Sequence, residues 1–181
     1  MLTRRHVFYA GAAGLGLAVL RLARPHAAKV AELAEQSGMP YLRVAAIACA
    51  GLAKATAGEF IAGARQLREA IDFARTARAG LEFEARMLAD LGDALYRVGD
   101  FNAASEAVDE AIAVARRRTD RIAELHATLL RGLILAAAGD PQYVEEIGEL
   151  VSHAEDLLNV SGAAFFEPRL VQLRSELERR G

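Results

Sequence analysis

The sequence has one cysteine, Cys49, so an internal disulfide is excluded. With Ala46, Ile47, Ala48 and Ala50 around it, Cys49 reads as a small buried hydrophobe. There is no tryptophan, aromatics are 6% and prolines number four, so strand-favouring aromatics and helix breakers are both scarce. No strong charge of one sign is present. With 22 basic and 24 acidic residues the net charge is −2, which gives no overall field for nucleic acid. The uncharged run over residues 7–20 is 14 residues long, short of the roughly 20 that cross a bilayer.

Chemistry-bearing motifs are missing too. His6, His26, His126 and His153 have no His-Glu-x-x-His or Glu-x-x-His spacing, and one cysteine makes no thiolate cluster. No phosphate loop or nucleophile elbow occurs. Asp90 and Asp93, one turn apart beside Arg86 and Arg97, are explained by local ion pairing. The sequence therefore predicts no enzyme, no metal and no cofactor.

What is present is helical. Hydrophobic residues are 53%, supplied mainly by Ala, Leu, Val and Ile, and 181 residues bury roughly 70% of their unfolded surface as one domain. Leu88, Leu91, Gly92 and Leu95 form one helical stripe, and Ala104, Val108, Ala111, Ile112 and Ala115 form another. Between them Gly99 tolerates positive φ and Asp100 accepts from the free N–H groups of the next helix. The unit repeats. Gly51 and Gly58, Gly92 and Gly99, Gly132 and Gly139 each lie seven apart, and the pairs are 41 and then 40 residues apart. Each second glycine precedes an acid: Glu59, Asp100, Asp140. A glycine in mid-helix costs up to about 1 kcal/mol, so three in register imply close helix approach.

The expected architecture is all-α: a right-handed superhelix of antiparallel helix pairs with a period of about 40 residues. The repeats span approximately 4–38, 39–80, 81–120 and 121–162, closed by a capping helix over 163–181. In that last segment Leu170, Leu173 and Leu177 share a face opposite Glu176, Glu178, Arg179 and Arg180. The arginines Arg65, Arg68, Arg75 and Arg78 interleave with Glu69 and Asp72, which reads as a solvated, ion-paired face.

The pattern Leu91-Gly92, Leu95, Gly99-Asp100-Phe101, Ala104, Val108, Ala111 resembles the tetratricopeptide repeat, which implies an α-solenoid. A narrower resemblance lies in Gly38-Met39-Pro40-Tyr41, Gln66-Leu67-Arg68-Glu69-Ala70-Ile71 and Ala123-Glu124-Leu125-His126 through Leu130-Arg131-Gly132. These are similar to the C-terminal helical-repeat region of bacterial proteins that carry a nucleotide cyclase or LuxR-type DNA-binding domain beside a STAND-type ATPase. That resemblance implies a bacterial regulatory role and transfers no cyclase, ATPase or DNA-binding activity.

The N-terminal 23 residues admit two readings. Thr3-Arg4-Arg5 ahead of the uncharged run resembles a twin-arginine export signal or anchor, but Phe8 falls one place late and no A-x-A site follows. The preferred expectation is a buried first helix and a cytoplasmic protein. Gly11-Ala12-Ala13-Gly14-Leu15-Gly16 resembles a dinucleotide loop but lacks a βαβ context.

Stacked helix pairs leave a groove lined by the first helix of each pair. Its predicted lining is Arg86, Asp93, Tyr96 and Arg97, then His126, Leu129 and Leu133, with Ala48, Leu52 and Ala55 from the preceding unit. Apolar at both ends with a charged centre, such a surface suits an extended peptide or helix, from another protein or a sister domain; the alternative is that a following helix simply covers these apolar positions. The expected function is a non-catalytic interaction scaffold or regulatory domain. The alternatives are a small-molecule-sensing repeat domain and an anchored or exported repeat protein. No direct nucleic-acid partner is expected.

Overall fold

The computed structural model describes Glu32 and residues 34–180. The expected first helix, the export-signal reading and the glycine-rich stretch fall on residues outside these. Among the described residues there is no strand, and the chain is a helical solenoid. Seven helices follow in order: α1 (Pro40–Thr56), α2 (Phe60–Ala77), α3 (Glu84–Val98), α4 (Phe101–Arg118), α5 (Arg121–Ala138), α6 (Val144–Ser161) and α7 (Glu167–Glu178). Short 3-10 turns, Leu81–Phe83, Pro141–Tyr143 and Ala164–Phe166, lead into α3, α6 and α7.

Each helix end has a local cause. At the α3–α4 corner Gly99 takes φ +82°, Asp100 N–H donates to Leu95 O at 3.1 Å and Gly99 N–H donates to Tyr96 O at 3.1 Å. This is the Schellman arrangement, which satisfies the last carbonyls of α3. The Asp100 side chain then accepts from Ala103 N–H at 3.2 Å and opens α4. Asp120 does the same for α5 through Ala123 N–H at 3.1 Å. Helices α2 and α4 instead end on left-handed Arg78 (φ +49°) and Thr119 (φ +59°), so the glycine pattern misses these two stops.

The helices pair as α1–α2, α3–α4 and α5–α6, and α7 closes the stack against α5 and α6. Successive hairpins touch through α2–α3, α4–α5 and α3–α5. One apolar core runs from Val44 in α1 to Ile134 in α5, and a second joins α5, α6 and α7. Helix α5 serves both: Ala123, Ala127, Leu130 and Ile134 face the first, Leu125, Leu129 and Leu133 the second. A helix apolar on all sides must be covered on all sides. On the outer surface Glu84, nearly buried, accepts from Arg75 of α2 at 2.8 Å and Arg118 of α4 at 3.3 Å, tying two hairpins together.

The small residues mark where helices come closest. A Cβ on Gly63 would sit 2.8 Å from Ala55 N and 2.9 Å from Gly51 O, so α1 and α2 meet backbone to backbone. A Cβ on Gly92 would strike Val108 of α4 at 2.6 Å, whereas one on Gly132 would strike Leu173 of the closing helix α7 rather than its hairpin partner α6. Gly148, mid-helix in α6, has nothing within 4 Å of its missing Cβ. Gly63→Ala should therefore destabilise the fold by about 1–3 kcal/mol through overpacking. Gly148→Ala should stabilise it by about 0.5–1 kcal/mol through helix propensity. Urea denaturation of both variants checks this; a Gly63→Ala chain as stable as the parent would mean that α1 and α2 part freely.

Candidate functional site

The side of the stack built from first helices carries a cleft of about 470 Å³. Leu52, Ala55 and Phe60 form its wall at the α1–α2 corner, Asp90, Asp93, Ala94 and Arg97 of α3 form the opposite wall, and Arg169 enters from α7. A smaller hollow of about 170 Å³ lies alongside, lined by Ala45, Ala48, Cys49, Leu67, Phe83, Arg86 and Met87; Cys49 is exposed, not buried as its small apolar neighbours in sequence suggest. Leu52 and Asp90 border both, so the two make one trough between α1 and α3, apolar at one end and polar at the other. Helical spacing explains the polar wall: Asp90, Asp93 and Arg97 follow at i, i+3 and i+7 on one face of α3.

Arg169 organises the polar end. Its Nη1 donates to His126 Nε2 at 2.9 Å and its Nη2 donates to Asp93 Oδ2. Asp93 Oδ1 also accepts from Arg97 Nε at 3.5 Å. Because a guanidinium only donates, His126 must accept at Nε2, which makes it a neutral imidazole with its proton on Nδ1. That nitrogen faces Asp90 Oδ1 at 3.8 Å, beyond hydrogen-bond reach. Burial, and then the Arg169 charge, push His126 down to about 4; its ring lies 5.0 Å from that of Phe166. Asp90 moves the other way. Burial, and then Asp93, push its carboxyl up to about 7, against the pull of Arg169 and Arg86.

Among the described residues nothing donates a hydrogen bond to Asp90. Arg86, its neighbour one turn earlier, turns away and donates to Asp120 at 2.9 and 3.4 Å. Local pairing thus explains Asp93 with Arg97 but not Asp90.

The residues expected to line a groove separate into three groups. Arg86, Asp93 and Arg97 border the trough, as do Ala48, Leu52 and Ala55. Tyr96 packs its ring 5.8 Å from Phe101 and against both cores, and His126 sits behind Arg169 and Asp90. Leu129 and Leu133 are 0% and 4% exposed, which removes them from any groove: α7 lays Leu170 and Leu173 over that face of α5. Sequence reasoning missed Arg169 altogether. The only available signal was a lone arginine just after Pro168, at the start of the closing helix.

No protein-family model matches the chain, and no curated protein matches it significantly. Among solved structures, the crystal structure of the apo form of RapI aligns with a TM-score of 0.60 over 92% of this chain. The fold is similar to that of RapI. Identity is 13%, so the likeness is one of fold alone, and the chain spans 64% of the length of that protein.

The two titrating groups act in opposition. Asp90 has a folded pKa above its unfolded value, so its contribution to stability is greatest at low pH and is lost as pH rises from about 4 through 7. His126 has a folded pKa below its unfolded value, so stability is gained as pH rises from about 4 to 6.5. The pair nearly cancels in that window. Asp90→Asn removes one partner: its stability should climb between pH 4 and 6.5, and at pH 8 it should exceed the parent by about 1–2 kcal/mol, after discounting for partial exposure. Thermal and urea denaturation at pH 5 and pH 8 measure it; equal stabilities at pH 8 would mean that Asp90 is well solvated.

Proposed function

We propose that this chain is a non-catalytic helical-repeat domain that takes an extended segment of another protein, or of a sister domain, into the trough between α1 and α3. The observation that carries this reading is the trough itself. The first helices of adjacent hairpins leave Leu52 40% exposed beside half-buried Ala48 and Ala55, with Asp90, Asp93 and Arg97 facing them. An apolar floor with a few convergent polar groups is the pattern by which grooves bind extended chains. The RapI-like fold supports a protein-binding or regulatory role. The resemblance to repeat regions of bacterial cyclase, STAND-type and LuxR-type regulators supports a place in bacterial signal transduction, inside the cytoplasm. Among the described residues no helix is long and apolar enough to cross a membrane, and no group of His, Cys, Asp and Glu could hold a metal.

A second reading, a small-molecule effector in the same cleft, is favoured by its volume, since ligand pockets commonly hold about 300–1,000 Å³. A metabolite that raises the melting temperature in a screen would select that reading.

Leu52→Glu places a charge in the trough without entering the core. Ile61→Glu, at a position 76% exposed on α2, is its control. Affinity capture from native lysate with quantitative mass spectrometry should show a partner reduced at least about tenfold by Leu52→Glu and unchanged by Ile61→Glu. An identical set of captured proteins for both variants would remove the trough as the working surface.

A further inference from the structure

Asp90 stands out among the side chains of the trough because the fold leaves it without a donor. Every charged or titratable group facing it is committed elsewhere or too far away. On α3, Arg86 donates to Asp120, and Asp93 takes up Arg97 and one arm of Arg169. From α7, the other arm of Arg169 goes to His126. From α5, His126 is neutral with its Nδ1 3.8 Å away, and from α1 the thiol of Cys49 lines the same hollow. The Asp90 side chain is 26% exposed, and the residue borders both hollows. On either side of it the walls are apolar: Leu52, Ala55 and Phe60 toward one end, Ala48, Phe83 and Met87 toward the other.

A half-desolvated carboxylate with unoccupied lone pairs, flanked by apolar walls, is complementary to a cation flanked by apolar groups. A neutral donor could bond it but would not offset its charge, and the arginines on the trough are already held, Arg97 and Arg169 by Asp93 and Arg86 by Asp120. We infer that the trough recognises a peptide segment with an arginine or lysine between apolar neighbours, its cationic head donating to Asp90 and its neighbours lying on Leu52 and the α1 wall. This rests on the groove reading above and names the chemistry of what the groove takes. A guanidinium fits best, because its planar fork matches the two carboxylate oxygens.

Binding a cation there must be linked to protons. Asp90 is held up to about 7 in the free protein, and an arriving positive charge favours its ionised form, so a proton leaves on binding near neutral pH. His126, held down to about 4, stays neutral between pH 6 and 8, and the arginines remain charged, so a dependence that disappears in Asp90→Asn belongs to Asp90.

The test uses the full chain and two fluorescent pools of capped pentapeptides with Leu, Ile, Val or Ala at four positions. One pool has arginine at the centre and the other citrulline, which keeps the shape and loses the charge. Fluorescence anisotropy should show the arginine pool binding about ten- to a hundredfold tighter than the citrulline pool. That preference should grow from pH 6 to pH 8 and vanish in Asp90→Asn, whose fold is checked by circular dichroism. The inference is overturned if neither pool binds, if Asp90→Asn keeps the preference, or if arginine amide alone displaces the pool as well as a peptide does. Equal binding of both pools, lost in Leu52→Glu, would overturn the cation site while leaving the groove reading intact.

Discussion

Arg169 reaches from the last helix back to Asp93, 76 residues away in sequence, and to His126 on the helix between. Much of the trough's polar end depends on this one guanidinium. It fixes the tautomer of His126, satisfies Asp93 and forms the end wall of the cleft. Its two terminal nitrogens donate to His126 and Asp93, and neither donates to Asp90, one turn from a satisfied acid. A closing helix that only sealed apolar surface would need Leu170 and Leu173 but not Arg169. Helix α7 therefore has two physical roles: it covers α5 and it sets the electrostatics of α3.

The solenoid makes such a surface unavoidable. No hairpin buries its stripe alone, so each helix is shared with the next unit, and α5 is shared on both sides. The backbone approach of α1 to α2 at Gly51 and Gly63, and the seating of the Val108 side chain of α4 against Gly92 of α3, pull each pair together. Second helices carry the outward ion pairs, such as Arg75 and Arg118 on Glu84. First helices are left partly open where α1 and α3 diverge, and there alone among the described residues do Leu52 and the acids of α3 face one space.

The fold was legible because its signals are local. Helical stripes, the Gly99-Asp100 corner and the leucines of the closing helix each act within a few residues, and all survive in the structure. Two stops were illegible because Arg78 and Thr119 adopt left-handed backbone without being glycine, where Ala79 N–H and Asp120 N–H close the helix ends onto Ala74 O and Ala115 O. The candidate site was half legible. Helix period places Asp93 and Arg97 with Ala48, Leu52 and Ala55, but it does not say which neighbour covers an apolar face. Leu129 and Leu133 look like groove leucines until α7 is laid over them. Asp90 looked locally paired, and only tertiary structure reveals that Arg86 points to Asp120.

The trough's apolar floor and its unbonded carboxylate are both consequences of how the helices stack. Asp90 is a desolvated acid without a donor, at the boundary of the two hollows. Carbon-13 NMR titration of the Asp90 side-chain carboxyl in the full chain tests this most directly. A midpoint near 7 is expected; a midpoint near 4, the value of an open carboxylate in water, would show that Asp90 is not desolvated.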